Sequence, residues 1–136
     1  MADCLFCRIA AKQLSSHAIY ESGEVFAFLD INPRAPGHTV VVPKRHAADL
    51  VQLPESGIIP LVTGVREVIG LLERGIHPAG FTIGVNHGRG AGAEVDHLHI
   101  HVIPRFEGDA GKSIQAVVSN PPAEPLEVIA KKIREA

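Results

Sequence analysis

The alternation of apolar and polar residues along the chain predicts five β-strands. Two of them, AIYE and EVFAFLDI, flank Ser22 and Gly23 and are typical of a β-hairpin. The other three are HTVVVPKRH at 38–46, GFTIGVN at 80–86 and DHLHIHVIP at 96–104. The segment DINPRAPG contains two prolines and a glycine and is expected to be a loop.

Three further segments follow helical spacing. Asp3 is expected to cap a short helix over CLFCRIAA. Apolar residues predict a second helix from about Leu61 to Arg74, which Gly75 is expected to stop. A third, amphipathic helix is marked by Leu126, Ile129, Ala130 and Ile133. Because strands and helices do not alternate regularly, we predict an α+β fold, an antiparallel sheet of about five strands with helices packed on it.

Length and composition narrow the class of protein. A chain of 136 residues with 46% hydrophobic and 21% charged residues is expected to form one globular domain over residues 1–136. The net charge of −2 provides no general attraction to nucleic acid or anionic lipid, so neither is expected as a partner. The sequence contains no recognisable secretory signal or membrane-spanning run, which predicts a cytoplasmic protein with reduced cysteines.

Three histidines alternate with apolar residues in DHLHIHVIPR. Because strand side chains alternate between faces, His97, His99 and His101 are expected on one face and the intervening apolar residues on the other. The alternatives are an exposed polar face, a cupin-like metal site or phosphate chemistry. The nearest downstream acid, Glu107, lies too far along for a cupin-like site. The glycine-rich segment NHGRGAGAE, at 86–94, favours phosphate chemistry, because backbone N–H groups there can approach phosphate oxygens.

The motif HLHIHVI, three histidines each followed by an apolar residue, is accompanied by two other characteristic segments. They are CLFCRI near the start of the chain and VFAFLDINPRAPGHTVVVPKRH in the middle. In this order and combination, the chain resembles compact bacterial members of the histidine triad family of nucleotide hydrolases and transferases. The resemblance covers nearly the whole chain, and it implies a homodimer in which the sheets of two subunits join.

The resemblance also implies a covalent mechanism at the α-phosphorus of a purine nucleotide. The central histidine, His99, would attack phosphorus and form a nucleotidyl-histidine that water hydrolyses. His101 would orient the phosphate, and His38 would belong to the same phosphate pocket. Asp30 matches the carboxylate that binds the ribose hydroxyls, although a loop-starting Asp can instead cap its own backbone. The remaining matched positions, apolar ones around the purine and a polar one near the phosphates, are Phe6, Ile9, Phe28, Ile31 and Asn86.

One position departs from the family pattern. Family members usually carry Gln after the loop glycine, which is Gly92 here, whereas this chain has Ala93. Because Ala has no side-chain donor, the lost contact is expected to weaken transition-state stabilisation by about 1–3 kcal/mol. Glu94 and Val95 continue the nucleotide-binding loop, and Glu94 is a candidate for positioning the leaving group.

Cys4 and Cys7 form a C-x-x-C pair on one face of a helical turn. The pair alone is compatible with redox chemistry, with two thiols packed as small apolar groups, or with a metal site. A structural zinc ion needs about four nitrogen or sulfur ligands. Relatives with this pair add a histidine after the Pro-Lys-Arg strand and the first triad histidine, here His46 and His97. The resemblance therefore implies one structural zinc per chain.

Two functions of different classes follow from these features. The first is hydrolysis or transfer at the α-phosphorus of purine nucleotide derivatives, namely nucleoside phosphoramidates, adenylylated amines or dinucleoside polyphosphates. The second is a nucleotide-binding or zinc-dependent interaction protein with weak catalysis, which Ala93 would explain.

Overall fold

Five antiparallel strands form one sheet in the order β1-β2-β3-β5-β4. The strands are β1 (Ala18–Glu21), β2 (Val25–Leu29), β3 (Thr39–Pro43), β4 (Gly80–Gly84) and β5 (Ile100–Arg105). The computed structural model describes residues 3–136. It confirms the prediction of a five-stranded antiparallel sheet with helices, and the first two strands form the expected hairpin.

Three α-helices accompany the sheet: α1 (Leu5–Ala10), α2 (Ile58–Ile76) and α3 (Leu126–Arg134). Short 3-10 turns occur at Glu55–Gly57, Arg89–Ala91 and Ile114–Val117. None of the helices in the described part of the chain combines the length and apolar character that crossing a bilayer requires.

The helix ends differ from the sequence predictions. Cys4, not Asp3, caps α1, because the Cys7 N–H points to the Cys4 sulfur at 3.4 Å. Helix α2 continues through Gly75 and ends at Ile76, because the left-handed backbone of the next residue, His77 (φ 52°, ψ 53°), breaks the helical repeat. Pro78 follows, and a residue that precedes proline is disfavoured in the α conformation.

The two faces of the sheet pack against different helices. Helix α2 covers one face. The core between this helix and the sheet includes Val41, Leu98, Ile100 and Val102. Helix α1 covers the other face, with residues Ile9, Ala10, Phe26, Phe28, Val40 and Val42. The predicted alternation is therefore confirmed: the apolar residues of the histidine segment enter the α2 core, and the histidines lie on the α1 face.

Strand β5 begins later than predicted, at Ile100 rather than near residue 96. Its neighbour β3 ends at Pro43, whose carbonyl oxygen accepts a hydrogen bond from the His97 side chain instead of a ladder N–H. The backbone N–H of Leu98 donates to the Ala47 carbonyl at 2.7 Å. Residues 97–99 thus leave the regular ladder, although their side chains still alternate.

Helix α3 departs from the predicted packing of helices on the sheet. Its apolar face is not buried, and Leu126 and Ile133 are 75% and 71% exposed. A nine-residue helix with Lys and Arg in its last turn is stabilised locally, but it contributes no buried residue to the core.

The contact between α2 and the sheet can be tested at Gly64. A Cβ atom there would lie 2.8 Å from Cγ1 of the buried Val25. Gly64→Leu should therefore lower the free energy of unfolding by about 1–3 kcal/mol in urea denaturation, because the interface is overpacked. The matched variant Gly75→Leu, with nothing within 4 Å of the added Cβ, should be as stable as wild type or slightly more so. Equal stability of the two variants would contradict this packing.

Candidate active site and metal centre

The predicted catalytic histidines lie on the α1 face, where β3 and β5 run side by side. Strand β5 pairs with β3 so that His101 lies opposite Val40. The rings of His99 and His101 are 5.1 Å apart, and those of His101 and His38 are 5.2 Å apart. The structure thus brings all three together, although His38 precedes them by more than 60 positions in the chain.

The orientation of His99 is set by its own strand. Its Nδ1 atom lies 2.7 Å from the His97 carbonyl oxygen, a group that can only accept. Nδ1 therefore carries a proton, and in the neutral ring the lone pair lies on Nε2. The His99 side chain is 8% exposed, and its ring meets Phe6 edge-on at 5.0 Å. A neutral imidazole held in this way offers one defined nitrogen for nucleophilic attack.

His38 and His101 form a buried pair. The backbone N–H of Arg34 donates to Nδ1 of His38 at 3.1 Å, and Nε2 of His38 lies 2.9 Å from Nδ1 of His101. Burial lowers the pKa of His38, partly opposed by the Asp30 carboxylate. Burial and then the neighbouring rings of His99 and His38 lower the pKa of His101. Both shifts favour the neutral form of the ring.

Asp30 forms a local turn and also lies close to His38. Its Oδ1 accepts the Asn32 N–H at 2.8 Å, the local turn expected of a loop-starting Asp. Its Oδ2 lies 3.6 Å from Nε2 of His38, beside the histidine cluster. The role of this carboxylate in binding the ribose hydroxyls remains a prediction.

The apolar residues predicted to surround the purine occupy different environments. Phe6 meets Phe28 edge-on at 5.6 Å as well as contacting His99. Ile9 and Phe28 are buried in the α1-side core. Ile31 is 85% exposed on the loop after β2. Phe6 is therefore the member of this set that joins the apolar wall to the histidines.

The glycine-rich loop borders a small cavity of about 70 Å³ beside His99. Asn86, Ala93 and Val95, which belong to the predicted nucleotide-binding set, line this cavity. Gly92 adopts a left-handed backbone (φ 101°) at the end of the 3-10 turn Arg89–Ala91. Glu94 instead lines a neighbouring depression together with Cys4 and His46, so it does not share the His99 cavity.

Sequence reasoning missed three groups that complete the site. Asp49 lines the cavity beside His99, and its carboxylate lies 3.9 Å from Nε2 of His87. The Arg34 N–H and the Pro43 carbonyl orient His38 and His97. No motif marks Asp49, and backbone groups leave no side-chain signal, so only the folded chain could reveal them.

Cys4, Cys7, His46 and His97 meet where α1 approaches the histidine segment. Their donor atoms all lie within 4.8 Å of one another. Nδ1 of His97 is 3.3 Å from the Cys4 sulfur and 3.4 Å from the Cys7 sulfur, and Nδ1 of His46 is 3.3 Å from the Cys7 sulfur. The structure thus brings together all four residues predicted as metal ligands.

The proton positions at this cluster suit a metal ion. Nε2 of the fully buried His97 donates to the Pro43 carbonyl at 2.8 Å, which leaves the Nδ1 lone pair directed at the sulfurs. Burial lowers the pKa of His97, which favours the neutral ring that a metal ion binds. Burial raises the pKa of the Cys7 thiol, and a bound cation would oppose this increase by stabilising the thiolate. Two sulfur and two imidazole ligands form the tetrahedral donor set that zinc prefers.

The proton positions are less suited to a metal ion in a second group of possible ligands, Asp30, His38 and His101. Because Nδ1 of His38 accepts the Arg34 N–H, the proton of the neutral ring occupies Nε2, the atom that would have to bind a metal. The donor set therefore fits poorly for a cation, and its geometry suits hydrogen bonding instead.

Comparison with known proteins identifies the family. The family model described as HIT domain matches residues 11–108. An uncharacterized HIT-like protein of Methanocaldococcus jannaschii is 42% identical over 106 residues, 78% of this chain and 81% of that protein. The adenosine 5'-monophosphoramidase HNT1 of Candida albicans is 34% identical over 117 residues, 83% of this chain and 77% of that enzyme.

Solved structures extend the likeness to the fold. The crystal structure of SMU.412c from Streptococcus mutans has a TM-score of 0.86 at 32% identity. The alignment covers 99% of this chain and 85% of the Streptococcus mutans chain. A Zn-bound histidine triad family protein from Mycobacterium smegmatis has a TM-score of 0.75 at 30% identity, covering 90% and 85%. With the family match over most of its length and these relatives, the chain belongs to the HIT domain (histidine triad) family.

Proposed function

We propose that this chain is a nucleotide hydrolase or transferase acting at the α-phosphorus of purine nucleotide derivatives through His99. The observation that carries the proposal is the hydrogen bond from His99 Nδ1 to the His97 carbonyl, which leaves Nε2 as the nucleophile. Phe6 beside this ring and Asp30 near His38 supply an apolar contact for a base and acceptors for ribose hydroxyls. His101 adds a hydrogen-bonding group next to the reacting atom.

The reaction would proceed in two steps. Nε2 of His99 forms a bond to phosphorus while the bond from phosphorus to the leaving group breaks, and the leaving amine or phosphate takes up a proton from solvent. Water then attacks the nucleotidyl-histidine and breaks the bond from phosphorus to Nε2, which releases the nucleoside monophosphate, returns one proton to solvent and restores neutral His99. A hydrogen bond from His101 to a phosphoryl oxygen would stabilise the negative charge that develops there.

Among the possible substrates, a nucleoside phosphoramidate has the strongest support. The Candida albicans relative is named as an adenosine 5'-monophosphoramidase, whereas the Methanocaldococcus jannaschii relative has no named activity. Adenylylated amines share the same phosphorus–nitrogen bond, and dinucleoside polyphosphates would require a phosphate leaving group. The alternative, a nucleotide-binding protein with weak catalysis, rests on Ala93.

The nucleophile is tested with His99→Ala and adenosine 5'-phosphoramidate. Release of AMP should fall by at least about a thousandfold, because loss of the attacking atom removes the covalent route. The control His17→Ala, at an exposed position, should retain wild-type turnover. Turnover that survives His99→Ala would overturn the nucleophile. A wild-type protein that binds AMP without turnover would favour the binding protein.

Ala93→Gln tests whether the missing side-chain donor limits the rate. The cavity beside His99 adjoins Ala93, and a restored amide should raise kcat/KM about 5-fold to 100-fold, equivalent to about 1–3 kcal/mol. Ala91→Gln, at an exposed position of the same loop, should leave kcat/KM unchanged. An unchanged or lower rate for Ala93→Gln would show that another group already supplies this contact.

We also propose that Cys4, Cys7, His46 and His97 hold one structural zinc ion per chain. The donor distances and the free lone pair of His97 support this assignment, as does the Zn-bound relative from Mycobacterium smegmatis. Zinc would cross-link the turn that carries Phe6 to the segment that carries His99. A cytoplasmic location would keep both thiols reduced for this purpose.

Cys4→Ser should reduce the zinc content from near one per chain to a small fraction of that, measured by elemental analysis of protein prepared without chelator. The melting temperature should fall, and AMP should bind more weakly, because Phe6 lies between the two cysteines and contacts His99. His17→Ala should keep its zinc and its melting temperature. Zinc content unaffected by Cys4→Ser would contradict the ligand set.

As partners, we propose a purine nucleotide and a second copy of the chain. Strand β4 is an edge strand with one side unpaired, and α2 exposes Ile59 (77%) and Val62 (58%). An unpaired edge and exposed apolar groups are features that a homodimer would cover. The net charge of −2 supports neither nucleic acid nor a membrane as a partner.

A further inference from the structure

We propose that His38 is a positioning residue that acts through His101: it holds His101 in the tautomer whose Nε2–H faces the substrate phosphate. This inference rests on the proposed function, because it assigns His38 a task in phosphoryl transfer. It also departs from the expectation drawn from the family resemblance, in which His38 belongs to the phosphate-binding set itself.

Both ring nitrogens of His38 are already engaged by the protein. The Arg34 N–H reaches Nδ1 at 3.1 Å, and Nε2 faces His101 Nδ1 at 2.9 Å and Asp30 Oδ2 at 3.6 Å. The ring is 3% exposed. A phosphate oxygen would therefore have to displace an internal partner in order to bind His38 directly.

The direction of the hydrogen bonds that link Arg34, His38 and His101 is fixed by the Arg34 N–H, the first donor in the series. A backbone N–H can only donate, so His38 Nδ1 accepts and the proton of the neutral ring occupies Nε2. That proton is donated to His101 Nδ1, which must then be the acceptor. The remaining proton of neutral His101 is placed on Nε2, the opposite edge of its ring. The lowered pKa values of both residues agree with neutral rings.

The loop before β3 holds the Arg34 N–H in place. Its ends are joined by a hydrogen bond from the Asp30 N–H to the His38 carbonyl at 2.9 Å. Within the loop, the His38 N–H donates to the Ala35 carbonyl at 3.1 Å. Gly37 has a φ of 83°, and a Cβ atom there would collide with Cδ1 of Ile76. The turn therefore requires glycine, and it returns the chain so that the Arg34 N–H meets the His38 ring.

Two adjacent imidazoles consequently present opposite functions to a substrate. His99, with its proton on Nδ1, offers a lone pair, and His101, with its proton on Nε2, offers a donor. No protein partner of His101 Nε2 is found among residues 3–136, and the residue is only partly buried. A neutral donor beside the nucleophile can bind a phosphoryl oxygen as charge develops, without lowering the nucleophilicity of His99 by a fixed positive charge.

The tautomers can be observed directly by nitrogen-15 NMR of histidine-labelled, zinc-loaded protein at about pH 8, where unperturbed histidine is neutral. We expect the Nε2–H form for His38 and His101 and the Nδ1–H form for His99. An Nδ1–H form of His101 would overturn the proposal, even if the enzyme turns over through His99. Conversely, a protein with these tautomers and no turnover would contradict the proposed function alone.

Two neutral substitutions separate positioning from mere packing. His38→Gln can still donate an amide N–H to His101, whereas His38→Leu cannot. We expect the Gln variant to retain the Nε2–H form of His101 and kcat within about tenfold of wild type, and the Leu variant to show mixed tautomers and a kcat lowered about 10-fold to 100-fold. Equal losses in both folded variants, with the His101 tautomer unchanged, would overturn the proposal. If the Leu variant does not fold, the wild-type and Gln spectra still decide.

Discussion

The burial of Leu98, Ile100 and Val102 against helix α2 is the constraint on which the site depends. These three side chains are almost completely excluded from solvent, and each contributes to the core between the sheet and the helix. Because side chains alternate along an extended chain, this burial turns the intervening histidines to the opposite face. A shift of one residue would place three imidazoles in an apolar core, so the register is strongly specified.

Backbone groups then give each histidine a distinct task. The Pro43 carbonyl takes the Nε2 proton of His97 and directs its Nδ1 toward two sulfurs. The His97 carbonyl accepts a hydrogen bond from His99 Nδ1 and leaves Nε2 as the proposed nucleophile. The Arg34 N–H starts the chain of hydrogen bonds that reaches His101. Identical side chains on one strand face therefore serve as proposed metal ligand, nucleophile and donor.

The metal cluster and the proposed nucleotide site share structural elements. His97 is a member of the metal cluster, and its carbonyl oxygen also orients His99. Phe6 lies between Cys4 and Cys7 and packs edge-on against His97, His99 and Phe28. A cation held by the four donors would therefore stiffen both the proposed nucleophile and the proposed contact for the base. Such a cation would support the proposed reaction without touching the substrate.

The sequence by itself determined the strands, the alternation of the histidine segment and the residue types of both clusters. The strands and the alternation depend on local periodicity, whereas the membership of the two clusters was implied by the resemblance to the histidine triad family. The tertiary structure alone decided the helix ends, the exposure of α3, the late start of β5 and the part played by Asp49. It also decided which nitrogen of each histidine carries the proton. That choice is made by partners such as Arg34, Pro43 and His38, which reach the histidine segment only because antiparallel pairing brings distant residues within hydrogen-bond distance.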